Sequence, residues 1–304
     1  MPAGVVAPPA FTIATGRAEI EIPAFGPPVL AGESTEPIFK TSRALGRSDR
    51  VALFERDDWR LGVITAPVAD GLEAVTLQLY REIFAAIPGL HLARVWNYVP
   101  AINATGPGHL ENYRLFCRGR SVAFEQQHGA DFARFLPSAS AVGGPEHALT
   151  VVFAACAAAP QHVENPAQIP AYEYPPEHGP RPPSFARATI VPGAAGATIF
   201  VSGTSAIRGH ATMAPHDTAR QLDCTLENLR EISRACGLGS DLAAGRRRLR
   251  HFKIYLRHAS DQPVVAATLA ACLLQPGDTF SYLHAGICRA ELNVEIEATL
   301  QPAA

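Results

Sequence analysis

The stretch that most constrains the fold is the last one. Over residues 292–297 apolar and polar residues alternate, with Leu292, Val294 and Ile296 on one side and Asn293, Glu295 and Glu297 on the other. Strict alternation marks a β-strand with one buried face. The chain must therefore build a sheet here and find a use, or a solvent, for two carboxylates on its other face. Cys288 and Arg289 open the same run. The expected partner is the segment 198–205, an apolar run ending in Ser202, Gly203, Thr204 and Ser205.

The rest of the chain reads as one plan used twice. Strands are expected at 18–22, 50–54 and 59–64, a helix at 68–86 stopped by Pro88 and Gly89, a strand at 91–98, a helix at 111–127, and strands at 141–143 and 150–157. Residues 158–183 hold eight prolines and almost no periodicity. A loop of that length inside an enzyme usually wraps or lines a site. From about residue 184 the order returns: strands at 185–190 and 198–203, a helix at 217–235 capped by Asp217, a strand at 248–255, a helix at 261–273, and strands at 279–285 and 292–297. The expected fold class is α+β, two related halves with mixed sheets covered by helices. The expected divisions are an N-terminal domain over 1–160, a Pro-rich connection over 161–183 and a C-terminal catalytic domain over 184–304.

Composition removes several function classes. The 304 residues carry a net charge of -2, and the one basic run, 246–250, is short, so no nucleic-acid role is expected. No apolar stretch approaches the ~20 residues of a membrane span. Residues 1–13 lack a basic leader and include Pro8 and Pro9, so they do not read as a signal peptide and a cytoplasmic location is expected. The six cysteines form no CxxC pair, and the eleven histidines show no HExxH or other clustered spacing, so no metal is expected. There is no GxGxxG after a strand, no phosphate-binding GxxxxGK[ST] and no GxSxG, so no cofactor is expected either.

Several residues invite two readings. On a solvated strand face Glu295 is an ordinary surface carboxylate; facing a cleft it gains a raised pKa and suits general-acid work. Glu297 competes by the same alternation. Cys288 is a core thiol or an active-site thiol whose pKa Arg289 lowers. Gly203 marks a bulge or makes room for a ligand. Arg94, Arg114, Arg118, Arg120, Arg187, Arg208 and Arg289 lie on or beside predicted elements. Surface ion pairs account for most such residues, but two or three converging would clamp a small dianionic acid.

Two segments carry a resemblance. Residues 95–103 (VWNYVPAIN) with 111–120 (ENYRLFCRGR) resemble the chorismatase family, enzymes that release pyruvate from chorismate. Residues 200–207 (FVSGTSAI), the 217–232 helix and the terminal VEIEA resemble the small RidA/YjgF proteins, as chorismatase C-terminal domains do. The resemblance implies that the first Glu of VEIE, Glu295, is the catalytic acid. Gly203 after Val-Ser and Cys288, seven residues before Glu295, match the branch that forms 3-hydroxybenzoate, with Cys288 steering aromatisation. Arg118, Arg187 and Arg289 are favoured for the carboxylates because each lies in a family-like motif, and Tyr113 joins them as a substrate contact. The alternatives are a chorismatase giving mixed 3- and 4-hydroxybenzoate or a dihydroxycyclohexadiene carboxylate, a RidA-like imine deaminase, and a small-acid binding protein. A monomer is expected, with a weak dimer as the other assembly.

Overall fold

Two sheets of the same plan lie face to face, each with its helices on the outside. The computed structural model describes residues 13–14, 17–18, 26–47, 50–145, 147–245 and 248–303. Strands β1 (Ile13–Ala14) and β2 (Arg17–Ala18) pair with each other, and β3 (Val29–Gly32) follows. The first half then runs β4 (Arg43–Arg47), β5 (Val51–Arg56), β6 (Trp59–Pro67), α1 (Leu72–Ala86), β7 (His91–Pro100), α2 (Asn112–His128), β8 (Ser138–Gly144) and β9 (Ala148–Cys156). The second runs β10 (Gln161–Val163), β11 (Ala188–Val191), β12 (Thr198–Thr204), a small hairpin of β13 (Ile207–Arg208) and β14 (Ala211–Thr212), α3 (Thr218–Ala235), β15 (Arg248–Leu256), α4 (Gln262–Cys272), β16 (Thr279–His284) and β17 (Val294–Pro302).

The repeat is exact in topology. The first sheet has the order β4-β5-β6-β9-β7-β8, and the second β10-β11-β12-β17-β15-β16 with β3 added at its end. In each, one pair is parallel, β7 with β8 and β15 with β16, and the other pairs are antiparallel. Strand pairing crosses the expected divisions. Residues 161–163, placed in the connection, pair with β11, and 29–32, placed in the first domain, cover the open edge of β16. A bare edge is a row of unpaired N–H and C=O groups, so covering it is favourable. The 158–183 segment is otherwise a loop with two single 3₁₀ turns. The alternation expected at 18–22 falls mostly outside the described residues, as do Arg246 and Arg247. The last strand begins at Val294, since Leu292 is held in a turn by its N–H bond to the Arg289 carbonyl, and it continues to Pro302.

Alternation along each strand sorts the side chains into layers. Val95, Val99, Val151 and Phe153 face α1 and α2, while Ile199, Val201, Ile254, Val294 and Ile296 face α3 and α4. Between the sheets lie Phe54, Trp96, Tyr98, Val152, Phe200 and Tyr255. Asp217 accepts from the Arg220 N–H at 3.1 Å and caps α3, as its position predicts. Among the described residues no helix is long and apolar enough to cross a membrane.

The layer between the sheets also holds charge. Glu297 accepts from Arg94 Nη2 at 2.6 Å, Trp96 Nε1 at 2.6 Å and Tyr255 Oη at 3.1 Å, and Lys253 Nζ lies 3.6 Å away. Lys253 also bonds Glu36, which is equally buried. Two cations thus balance two carboxylates. Burial alone would lower the Lys253 pKa, but Glu36, with Tyr98 and Glu297 behind it, raises it. Removing one member of such a set leaves a buried charge without compensation. Lys253→Met is therefore expected to cost about 3–5 kcal/mol in urea unfolding at neutral pH; a loss below ~1 kcal/mol would show that the network carries little stability.

Candidate active site

A cavity of about 390 Å³ opens where the two halves meet. The edge strand β8 brings Ala139, Ser140 and Ala141, and α2 brings Tyr113, Phe116, Cys117 and Arg120. The Pro-rich loop contributes Tyr174, Glu177, His178 and Pro183, in keeping with a loop that lines a site, and Ser184 follows it. The second half supplies Arg187, Gly203, Ser205, Cys288, Arg289 and Glu295. The edges are sewn together by backbone groups. Ser138 N donates to Thr189 Oγ1 at 2.8 Å, Ala139 N to Ser202 Oγ at 2.8 Å and Gly143 N to the Gly286 carbonyl at 2.7 Å.

The two carboxylates of β17 have opposite environments. Burial pushes Glu297 up, but Arg94 and Lys253, with hydrogen bonds from Ser140 and Trp96, more than offset it and hold the carboxyl below its ordinary range. Glu295 is 3% exposed, and its Oε1 has no hydrogen-bond partner among the described residues. Its Oε2 has one long contact, 3.4 Å from Ser205 Oγ. Burial, and then the negative charge of Glu297, push its pKa up to about 8. At neutral pH Glu295 is a protonated acid facing a cavity, and Glu297 is a structural anion.

Gly203 lies in the bulge that interrupts β12–β17 pairing between Val201 and Thr204. A Cβ there would overlap the Glu295 carboxyl, so the missing side chain is what lets the acid lie against β12. Cys288 is half-buried beside these groups. Its thiol does not have the lowered pKa that an adjacent arginine suggests. Burial and the neighbouring Glu295 raise it far above its ordinary value, and Arg289 offsets only part of this. The group is a neutral thiol. Burial likewise raises the Tyr113 hydroxyl well above its ordinary range, so it is a neutral donor.

Of the favoured arginines the fold brings two to the cavity. Arg187 donates to Tyr174 Oη at 2.7 Å and leaves Nε unpaired. Arg289 donates to the His210 carbonyl at 2.9 Å and Thr212 Oγ1 at 3.0 Å. Arg118 does not reach it: it pairs with Glu73 on α1. Two residues along a helix is a rotation of about 200°, and Arg120 takes the inward position. It is 2% exposed, lies over the Tyr80 and Phe124 rings, and leaves Nε and Nη2 without partners. The signal that identifies it is the helical stripe Tyr113, Phe116, Cys117, Arg120, all four lining the cavity. Among the described residues Arg120, Arg187 and Arg289 have no carboxylate within ion-pair distance. Three guanidiniums without a carboxylate partner beside a protonated carboxyl are an arrangement whose chemistry suits an acid carrying more than one negative charge.

The cavity sets a buried carboxyl beside three guanidiniums, and the comparisons give the chain a family. Residues 38–155 match the family described as chorismatase FkbO/Hyg5-like, N-terminal. A chorismatase of Streptomyces rapamycinicus is 38% identical over 267 residues, 84% of this chain and 78% of that protein. A 3-hydroxybenzoate synthase of Streptomyces hygroscopicus is 37% identical over 215 residues, 68% of this chain and 62% of its own length. A crystal structure of a chorismatase covers 85% of this chain and 79% of its own at 32% identity, with a TM-score of 0.75. The chain belongs to the chorismatase family. RidA from a Psychrobacter species aligns over 98% of itself and 46% of this chain, at 20% identity and a TM-score of 0.34; the relation between the two halves rests instead on their strand order.

The raised Glu295 pKa has a signed consequence. In the unfolded chain this carboxyl ionises near 4.5, in the folded chain near 8. The folded state therefore loses stability through this group as pH rises from about 4.5, and the loss levels off above about 8. Glu295→Gln is expected to melt higher than the parent at pH 8 and to match it near pH 4. A variant with a pH-independent offset would mean that Glu295 is not held protonated.

Proposed function

We propose that the chain cleaves chorismate to 3-hydroxybenzoate and pyruvate, with Glu295 as the acid. The observation that carries this reading is the protonated Glu295 carboxyl, its Oε1 without a partner among the described residues, inside a cavity ringed by Arg120, Arg187 and Arg289. Chorismate has two carboxylates, an enol ether and a ring hydroxyl, and guanidiniums suit the carboxylates. The relatives named chorismatase and 3-hydroxybenzoate synthase support the same substrate.

The Glu295 proton goes to the methylene carbon of the enolpyruvyl group. The C=C pair forms the new C–H bond, and positive charge develops on the ether carbon, where the adjacent oxygen shares it. The Glu295 carboxylate left behind lies in a dry site and stabilises that charge. The bond between the ether oxygen and ring C3 breaks, and its electron pair makes that oxygen the ketone oxygen of pyruvate. The neighbouring C4 hydroxyl oxygen closes on C3 as an epoxide and gives its proton to Glu295. The epoxide then opens at C4: Glu295 returns that proton to the oxygen and takes one from C3, which leaves 3-hydroxybenzoate. Glu295 is the base that takes a proton back, so it ends the cycle as it began. Chorismate is isomeric with the sum of the two products, so the balance needs no oxidant and no net water. Gly203 and Cys288 favour the 3-hydroxybenzoate outcome. With its thiol neutral, Cys288 acts by contact and hydrogen bonding on the ring intermediate, not as a resting thiolate.

Incubating the purified chain with chorismate alone and separating the products with mass detection tests the reading. Equimolar 3-hydroxybenzoate and pyruvate are expected. A dihydroxycyclohexadiene acid or a 3-/4-hydroxybenzoate mixture would overturn the product assignment, and no turnover would overturn the substrate. Cys288→Ala is expected to lose 3-hydroxybenzoate while still releasing pyruvate; an unchanged product would remove the thiol from the mechanism.

The two neighbouring arginines give a second test. Arg120→Met is expected to lower kcat/KM about 10–100-fold, the worth of one or two charge-assisted hydrogen bonds. Arg118→Met removes a surface ion pair and is expected to change kcat/KM by about twofold or less. The reverse ranking would return the substrate carboxylate to Arg118.

A further inference from the structure

The mouth of the cavity holds a second cluster that the mechanism does not use. Glu177 and His178 close the 3₁₀ turn Pro176–His178 of the Pro-rich loop. His210 comes from the tight turn between β13 and β14. The three lie 33 residues apart in sequence at their widest (210 less 177), which is why no ligand spacing is visible there. In the fold His178 Nε2 is 3.0 Å from His210 Nδ1, and Glu177 Oε1 is 3.6 Å from the first and 3.4 Å from the second.

We propose that Glu177, His178 and His210 form a binding site for a zinc-class divalent cation at the cavity mouth. The donor triangle carries the inference. Metal–ligand bonds of ~2.0–2.1 Å in a tetrahedron put donor atoms about 3.3 Å apart. The observed edges of 3.0, 3.4 and 3.6 Å bracket that value. As hydrogen bonds the two carboxylate edges are too long, since N–H···O pairs peak near ~2.9–3.0 Å. Two imidazoles and a carboxylate are the donor set of His₂Glu zinc sites, with a fourth position left to water. Both imidazoles are partly buried, while Glu177 is open to solvent, which gives the ion a path in.

The anchoring is independent of the donors themselves. Arg289 bonds the backbone carbonyl of His210 and Thr212 Oγ1, holding the hairpin without using the imidazole. Burial first, and then Arg289, His210 and Arg114, disfavour positive charge at His178, and Glu177 opposes them. The inference does not rest on the proposed reaction. A bound ion would tie the 176–178 turn to the 207–212 hairpin across one side of the cavity.

Titration of chelator-treated protein with Co²⁺, followed by displacement with Zn²⁺, tests the proposal. The expected result is one equivalent bound with the intense visible absorption of four-coordinate Co²⁺ and no thiolate charge-transfer band. Loss of an outer-shell partner costs about 10–100-fold in metal affinity, so loss of a direct ligand, in Glu177→Gln or His210→Ala, is expected to weaken binding at least tenfold. Glu177→Gln changes an exposed residue and keeps the test valid if His210→Ala fails to fold. A thiolate band, undiminished binding in both variants, or an octahedral spectrum would overturn the site.

Discussion

The opposite titration of the two β17 carboxyls depends on the neutralisation of Glu297. Two carboxyls stand two residues apart on one face of β17, in a layer that water barely reaches. Both cannot ionise there at low cost. Arg94, Lys253 and Trp96 settle which one does, by surrounding Glu297 with two cations and a ring N–H. Glu295 then has burial and an adjacent fixed anion against its ionisation, and it keeps its proton. A pair of like groups with pKa values driven apart by their surroundings is the general way a site obtains an acid near neutral pH.

The repeated topology makes the asymmetry of the halves visible. The strand β9 occupies in the first sheet the central place that β17 occupies in the second. Facing the other sheet, β9 presents Val152 and Ala154, whereas β17 presents Glu295 and Glu297. One copy of the plan supplies an apolar wall and the other supplies the acids. The cations that balance Glu297 come from both copies, Arg94 on β7 and Lys253 on β15. The charged layer therefore joins the sheets as well as setting the titration of the site.

Much of this was legible in the sequence, and the parts that were not share a cause. Period-two alternation put Glu295 and Glu297 on the same face of a strand, because that periodicity is local. It could not say which one is neutralised, since Glu36, Lys253 and Arg94 are brought to the spot by pairing across the whole chain. The 3.6-residue period found α2, but motif membership favoured Arg118 where the stripe through Tyr113, Phe116 and Cys117 selects Arg120. The adjacency of Cys288 and Arg289 suggested a lowered thiol pKa; burial and the Glu295 neighbour, both tertiary, reverse it. The expected divisions follow local pattern, whereas the place of β3 and β10 in the second sheet is set by edge covering, a property of the assembled sheet.

The location of the cavity between the halves makes its geometry a property of their docking. Glu295 and Gly203 belong to one sheet, Arg120 and Tyr113 to a helix on the other, and no single half contains the set. Their separation is fixed by backbone donors of β8 bonded to Thr189, Ser202 and Gly286. Main-chain hydrogen bonds at both ends of one short strand leave little freedom for sliding. The small residues along this seam matter for the same reason: a Cβ at Gly143 would come to 3.0 Å from the Gly286 nitrogen, and one at Gly203 would displace the acid itself. A larger residue at either place would alter the spacing of acid and guanidinium before it disturbed the core of either half.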